Sequence, residues 1–169
     1  MNERLSAWQG VRLGGALFVA ALIQSVFADA LRIKGAGPDL LLLVALLGSL
    51  FCNVNGSAAL GFSAGLLHAA MSAPPHGGFG SLIESRTLVC IGAGWLEERV
   101  FRDNVLIAIF LAAFGTALAE GLFFLFAPQP NVLLWARALG IATLYNTVLA
   151  GPLYFVIRKV ARGRVRRTP

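Results

Sequence analysis

The sequence predicts an all-α integral membrane protein, a single bundle of six transmembrane helices. Three observations predict it. Of 169 residues 57% are apolar and only 13% charged, and the mean hydropathy is +0.76. A soluble domain carries roughly 25% charged residues, so too little polar material is present to coat a water-exposed globule. The apolar residues fall into six runs separated by turn-forming or charged connectors. The basic residues gather at the two ends and in one connector, as the positive-inside rule requires. The same composition excludes disorder, a collagen-like fibre and a disulfide scaffold. Cys52 and Cys90 lie within apolar runs and mark neither a redox compartment nor a metal site.

The first run extends from about Val11 to Ala28, led by Arg4 and Arg12 and closed by Asp29. Ala28-Asp29-Ala30 fits the small-x-small pattern of a signal-peptidase site. An uncleaved first span is the preferred reading, because the rest of the chain is itself multi-spanning and a retained helix can serve as the signal. The connector Arg32 to Pro38 is turn-forming. Pro38-Asp39 opens a short run, Leu40 to Cys52, since proline in a first helical turn loses no intrahelical bond. That run covers about 20 Å, short of the ~30 Å hydrocarbon core. It either stands with little tilt, extends through Asn55, or pairs with its successor as a half-penetrating hairpin.

Asn53-Val54-Asn55-Gly56 is the break before a third run, Ser57 to Ala73, which Pro74-Pro75-His76-Gly77-Gly78 ends. The fourth run spans about Phe79 to Leu96 and is followed by the charged connector Glu97 to Asp103. The fifth covers about Asn104 to Ala127, Pro128-Gln129-Pro130 turns the chain, and the sixth covers about Val132 to Ile157. Residues 1–158 thus form one polytopic transmembrane domain and 159–169 a basic cytoplasmic tail.

Six of the fourteen basic residues lie in the last twelve positions, Arg158, Lys159, Arg162, Arg164, Arg166 and Arg167. A juxtamembrane basic tail marks the cytoplasmic face and attracts anionic membrane lipids. With no stacking aromatics among these arginines, the net charge of +6 does not indicate nucleic acid. Six spans with both termini cytoplasmic put Arg99 and Arg102 inside and leave only Arg32 and Lys34 as outer connector charges.

Ionisable groups in hydrocarbon need partners or a watery cavity. Glu84, Arg86, Glu120 and Arg137, with His68 and Asn146, fall in one layer, the outward third of the bilayer. Glu120 and Arg137 lie within about 3 Å of the same depth. Glu120 is therefore expected to pair with Arg137, with Glu84 and Arg86 lining the same outward pocket; the alternative is that Glu84 and Arg86 snorkel to water. Ser57, Gly61 and Gly65 recur at four-residue spacing and form a smooth helix-packing face.

Gly61-Phe62-Ser63-Ala64-Gly65 satisfies the G-x-S-x-G pattern of a nucleophile elbow, but that chemistry needs a strand and a strained turn, and here it lies within a helical run. His68 and His76 do not make a zinc site, being separated by a Pro-Pro turn without a third ligand. No cofactor is expected. Glu98 and Arg102 can pair at i, i+4 in a connector that is either a solvated turn or a docking point for a cytoplasmic partner.

In order and spacing the chain resembles the bacterial rod shape-determining MreD family over most of its length. The resemblance rests on Pro38-Asp39 before a leucine-rich short span, and Gly61-Phe62-x-x-Gly65-Leu66-Leu67. Gly77 to Gly80, the Arg99-to-Asp103 connector, Glu120 and Asn146 complete it. One position departs: the family commonly has an aspartate after Gly-Leu-Leu, where this sequence has His68.

The resemblance implies a non-enzymatic inner-membrane scaffold of the cell-elongation machinery. Its partner would be an MreC-like bitopic protein and, through it, an MreB-like filament and peptidoglycan synthases. It also implies likeness to the substrate-binding subunits of energy-coupling-factor transporters, six-helix bundles with an outward pocket. Two other readings compete. A transporter subunit would use the pocket for a small solute. A headgroup-modifying enzyme would want clustered acids for a metal, to which only Glu97, Glu98 and Asp103 come close.

Overall fold

The computed structural model describes residues 7–27, 30, 37–72, 78–97 and 104–162. The Ala28-Asp29-Ala30 peptidase pattern, Arg32 and Lys34, the Glu98–Arg102 pair, His76 and the tail beyond Arg162 lie wholly or partly outside them. The described chain is all-helical, with α1 (Ala7–Phe27), α2 (Leu40–Ser49), α3 (Val54–Ser72), α4 (Gly78–Glu97), α5 (Val105–Phe126) and α6 (Val132–Arg162). α1, α5 and α6 are each long and apolar enough to cross a membrane.

Five helices form a closed ring around the sixth. Going round, α1 touches α3, α3 touches α4, α4 touches α5, α5 touches α6, and α6 returns to α1; α2 touches all five. This resolves the short second run. α2 has ten residues, about 15 Å, against 19 residues in the shortest ring helix. It stops at Ser49 rather than reaching Asn55, and α3 starts at Val54, three residues before the expected Ser57. Nor is it a two-helix hairpin, since it runs along the axis.

Every residue from Leu41 to Ser49 is buried. A helix that is apolar all round must be kept from water on every side, and the run LLLLVALL gives α2 no polar face. Gln9 of α1 donates from Nε2 to the Phe51 carbonyl at 2.8 Å. Gln24, near the other end of α1, caps the start of α2, so these two helices are antiparallel. The end of the bundle holding Phe27, Ser72, Gly78, Phe126 and Val132 is called the head end below.

The closest ring contact is α3 on α4. A Cβ on Gly61 would lie 2.7 Å from the Arg86 carbonyl and 2.8 Å from Thr87 Cα, and one on Gly65 would lie 2.6 Å from Ile83 Cα. Only hydrogen fits at these crossings, and Ser57 packs against Gly94 on the same seam. The α3–α4 backbones therefore approach as small-residue interfaces allow.

The radial distribution of polarity is inverted relative to a soluble protein. Leu106, Phe110, Phe114, Leu118 and Leu125 face outward along α5, and Phe18, Leu22 and Val26 do so along α1. Inside are Asp39, Ser49, Ser57, Ser81, Ser85, Arg86, Thr116 and Asn146. An apolar exterior of this extent is compatible with a membrane protein, for which lipid is the natural cover.

Candidate functional site: an ion-pair cluster at the start of the axial helix

A helix that begins inside a protein must find partners for its first free N–H groups. α2 recruits them from three places. The Asp39 side chain accepts from Leu42 N at 2.9 Å through Oδ1, as an N-cap. Gln24 Oε1 of α1 accepts from Leu40 N at 2.8 Å and from Leu41 N at 3.2 Å. The Asp39 N–H itself donates to Asn146 Oδ1 of α6 at 3.1 Å, and Asn146 Nδ2 donates to Thr116 Oγ1 of α5 at 2.9 Å. The start of α2 is thereby tied to three ring helices.

The second oxygen of Asp39 carries the charge chemistry. Arg86 of α4 donates from Nη2 to Asp39 Oδ2 at 3.0 Å and from the same nitrogen to Glu120 Oε1 of α5 at 2.8 Å. Its Nη1 donates to Ser85 Oγ at 3.0 Å. His68 of α3 places Nδ1 3.1 Å from Asp39 Oδ2, an ion-pair distance without hydrogen-bond alignment. Arg86 is 1% exposed and its Nε has no hydrogen-bond partner, while the Phe123 ring lies 5.9 Å from its Cζ. Asp39 is nearly as enclosed, whereas the His68 and Glu120 side chains are about one-fifth exposed.

Of the residues singled out from the sequence, Arg86, Glu120, His68 and Asn146 meet here. Arg137 and Glu84 do not. The partner of Glu120 is Arg86, not Arg137, which lies exposed on α6. Asn146 faces the axis, and nine residues of helix turn the chain by about 900°, half a turn past whole revolutions, so Arg137 points away from it. Glu84 is exposed on α4. Two residues turn the helix by about 200°, so it cannot share Arg86's face. Ser57, Gly61 and Gly65 lie on the α4 seam, and the Gly61 contact fixes the backbone of Arg86 itself.

Asp39, Gln24, Thr116 and Ser85 do not belong to the set that the sequence singled out. Asp39 carried a usable signal, because the N-cap of a helix without a polar face must be buried along with it. Ser63, the central residue of the G-x-S-x-G match, is exposed on the unbroken helix α3. Among the described residues no group of three or more His, Cys, Asp or Glu could hold a metal ion. Charge pairing and hydrogen bonding are what this arrangement supplies. Comparison with family models, with curated proteins and with solved structures finds no match.

Proposed function

We propose that this chain is a non-enzymatic scaffold of the MreD type in the bacterial inner membrane, with both termini cytoplasmic and the head end outward. Its partner is an MreC-like bitopic membrane protein, through which it connects to an MreB-like filament and peptidoglycan synthases. The observation that carries this reading is convergence. Asp39 of the Pro38-Asp39 pair, position 68 after Gly-Leu-Leu, Glu120 and Asn146 are scattered over three helices and the start of α2, yet Arg86 of α4 and Asp39 join them in one cluster. Asp39, Glu120 and Asn146 are marks on which the family resemblance rests, and position 68 is its one departure. Gly61 of the same resemblance packs against the Arg86 backbone.

The test is retention. The tagged protein, extracted in mild detergent from a rod-shaped bacterium that encodes it, retains a bitopic partner with a single apolar span, and its depletion rounds the cells. Asp39→Asn weakens retention, while Glu84→Gln on the exposed face does not. Recovery of an ATPase module in place of that partner overturns the scaffold reading.

One observation favours the second reading, a solute-binding subunit of an energy-coupling-factor type transporter. From Val132 to Tyr145 α6 contains no fully buried residue, and the side that continues the buried stripe is only half-buried at Leu139, Ala142 and Thr143. Saturable binding of a small solute at this end would support that reading against the scaffold.

A further inference from the structure

Charge on the described helices falls into three groups. Asp39, Arg86 and Glu120 are bonded inside the cluster, with His68 alongside. Arg12, Glu97, Arg158, Lys159 and Arg162 lie within two turns of the end opposite the head end. Glu84 and Arg137 are what remains. Both are exposed in the head-end half, they are of opposite sign, and neither pairs with a described residue.

The two stand at nearly one depth. Glu84 precedes Arg86 by two residues and so lies about 3 Å headward of the Arg86–Glu120 bond. Phe124 is about 6 Å headward of Glu120, and its ring meets that of Trp135 at 4.3 Å. Arg137 follows Trp135 by two residues, so it too lies about 3 Å headward of that bond. Measured instead from the Asn146–Thr116 bond, Arg137 stands about 4 to 5 Å further headward, within reach of its own side chain.

They do not stand on one side. In the ring α5 separates α4 from α6 one way, and α3 and α1 the other. Each charge rises from an exposed stripe. Gly80, Glu84, Leu88 and Gly92 recur every four residues on α4, and Leu133, Arg137, Gly140, Leu144 and Val148 share a face of α6. Gly80, Gly92 and Gly140 have open space where a Cβ would be, so a neighbouring helix has room to approach beside either charge. A lone charge on a lipid-facing helix is unfavourable unless it snorkels or finds a partner. Arginine has the stem for snorkelling, whereas glutamate is shorter and stands six residues, about 9 Å, inside the end of α4.

We propose that Glu84 of one copy pairs with Arg137 of a second copy of this chain, α4 of the first packing along α6 of the next. Charge complementarity selects that occupant, because each chain carries both signs, one of each, at matching depth. Copies in one bilayer share an orientation, and α4 and α6 both begin at the head end, so the two stripes meet in parallel and in register. One copy cannot turn both faces to the same neighbour. The contact is therefore heterologous, and repetition builds a row of copies rather than a closed pair. An α4–α4 or α6–α6 pair would set like charges against each other. This goes beyond the scaffold reading and does not depend on it.

The test uses the full-length protein labelled with donor or acceptor dye at its amino terminus, mixed and reconstituted in phosphatidylcholine vesicles. Energy transfer between copies reads association. Glu84→Arg alone and Arg137→Glu alone are each expected to associate about tenfold more weakly than the unaltered protein. Mixed together they are expected to regain it, since Arg at position 84 of one then meets Glu at position 137 of the other, and Glu84 meets Arg137 at the reverse contact. The double variant carrying both changes regains it as well.

Absence of energy transfer in the unaltered protein overturns the proposal and leaves both charges to the headgroups. Association that ignores the two reversals overturns it, as does a mixture that fails to recover. Should a reversed variant not fold, Arg137→Gln decides: association as tight as that of the unaltered protein overturns the proposal. The contact lies on faces remote from Asp39, so its loss leaves retention of a bitopic partner, and the scaffold reading, as they were.

Discussion

Replacing Arg86 by methionine is the most informative single perturbation of the bundle. Methionine approximates the length of the arginine stem but removes the donors that hold Asp39 Oδ2 at 3.0 Å and Glu120 Oε1 at 2.8 Å. Two carboxylates then face each other across the space the guanidinium filled. Removing one partner of a buried ion pair costs about 3–5 kcal/mol, mostly because the other charge is left stranded. For a chain of this size each kcal/mol moves Tm by about 2–4 °C, so a fall of about 6–20 °C is expected.

The informative control removes all the charge together. Asp39→Asn, Arg86→Met and Glu120→Gln combined leave no stranded ion, and a neutral replacement of a buried charged group is often close to isoenergetic. The Asp39→Asn change keeps the cap on Leu42 N, since asparagine is as good an N-cap as aspartate. The triple variant is therefore expected to recover most of the stability lost in Arg86→Met. Thermal unfolding in detergent, followed by tryptophan fluorescence, measures both. A loss below about 1 kcal/mol for Arg86→Met, or a triple variant no more stable than the single, would refute the charge argument.

Gly61→Ala should cost about 1–3 kcal/mol by overpacking, because its new Cβ meets Arg86 and Thr87 backbone rather than a mobile side-chain end; the same unfolding assay checks it, with Gly14→Ala, open on all sides, as the neutral comparison. Gln24→Ala strips the acceptor from Leu40 N and Leu41 N and should cost about 1–3 kcal/mol, with faster amide exchange at both residues as the site-specific readout. Leu43→Ala opens a cavity on the fully enclosed axial helix and should lower stability by about 2–5 kcal/mol. Arg137→Gln and Glu84→Gln, both exposed, should stay within about 0.5 kcal/mol of the unaltered protein.

Much of this architecture is readable along the chain and little of it across the chain. The runs ending in Pro74-Pro75 and Pro128-Gln129-Pro130 give α3 and α5 within a few residues, because clustered prolines end a helix, whereas the lone Pro152 lies inside α6. Depth was also legible: Arg86, Glu120 and His68 do share a layer. Azimuth decides pairing. Rotation at 100° per residue separates Arg137 from Asn146 by half a turn and Glu84 from Arg86 by more than half. Equal depth made Arg137 plausible for Glu120, but a residue facing the wrong way cannot pair.

The axial position of α2 was hidden for a different reason. A run such as LLLLVALL has no polar face from which to read an orientation, and enclosure by protein and exposure to lipid both suit leucine. Only the shortness of the run, about 20 Å from Leu40 to Cys52, points away from an ordinary span.

That ambiguity explains why the cluster sits where it does. In lipid, apolar side chains gain little by choosing protein over hydrocarbon, so leucines alone cannot hold α2 on the axis rather than at the rim. Polar groups can, because leaving them in hydrocarbon is unfavourable by several kcal/mol each. Among the described residues the hydrogen bonds from α2 and its caps to other helices lie at its two ends: Gln24, Asn146 and Arg86 around Asp39 and Leu40, and Ser57 on Ser49 O and Gln9 on Phe51 O at the other. The ring and its axial helix are therefore registered by their polar ends, and packing fills the length between. A charged group moved at the Asp39 end changes more than one ion pair, since the same aspartate caps the helix, anchors it to α6 and pairs with α4. A change at Glu120 would reach the axial helix through two successive bonds, to Arg86 and then to Asp39.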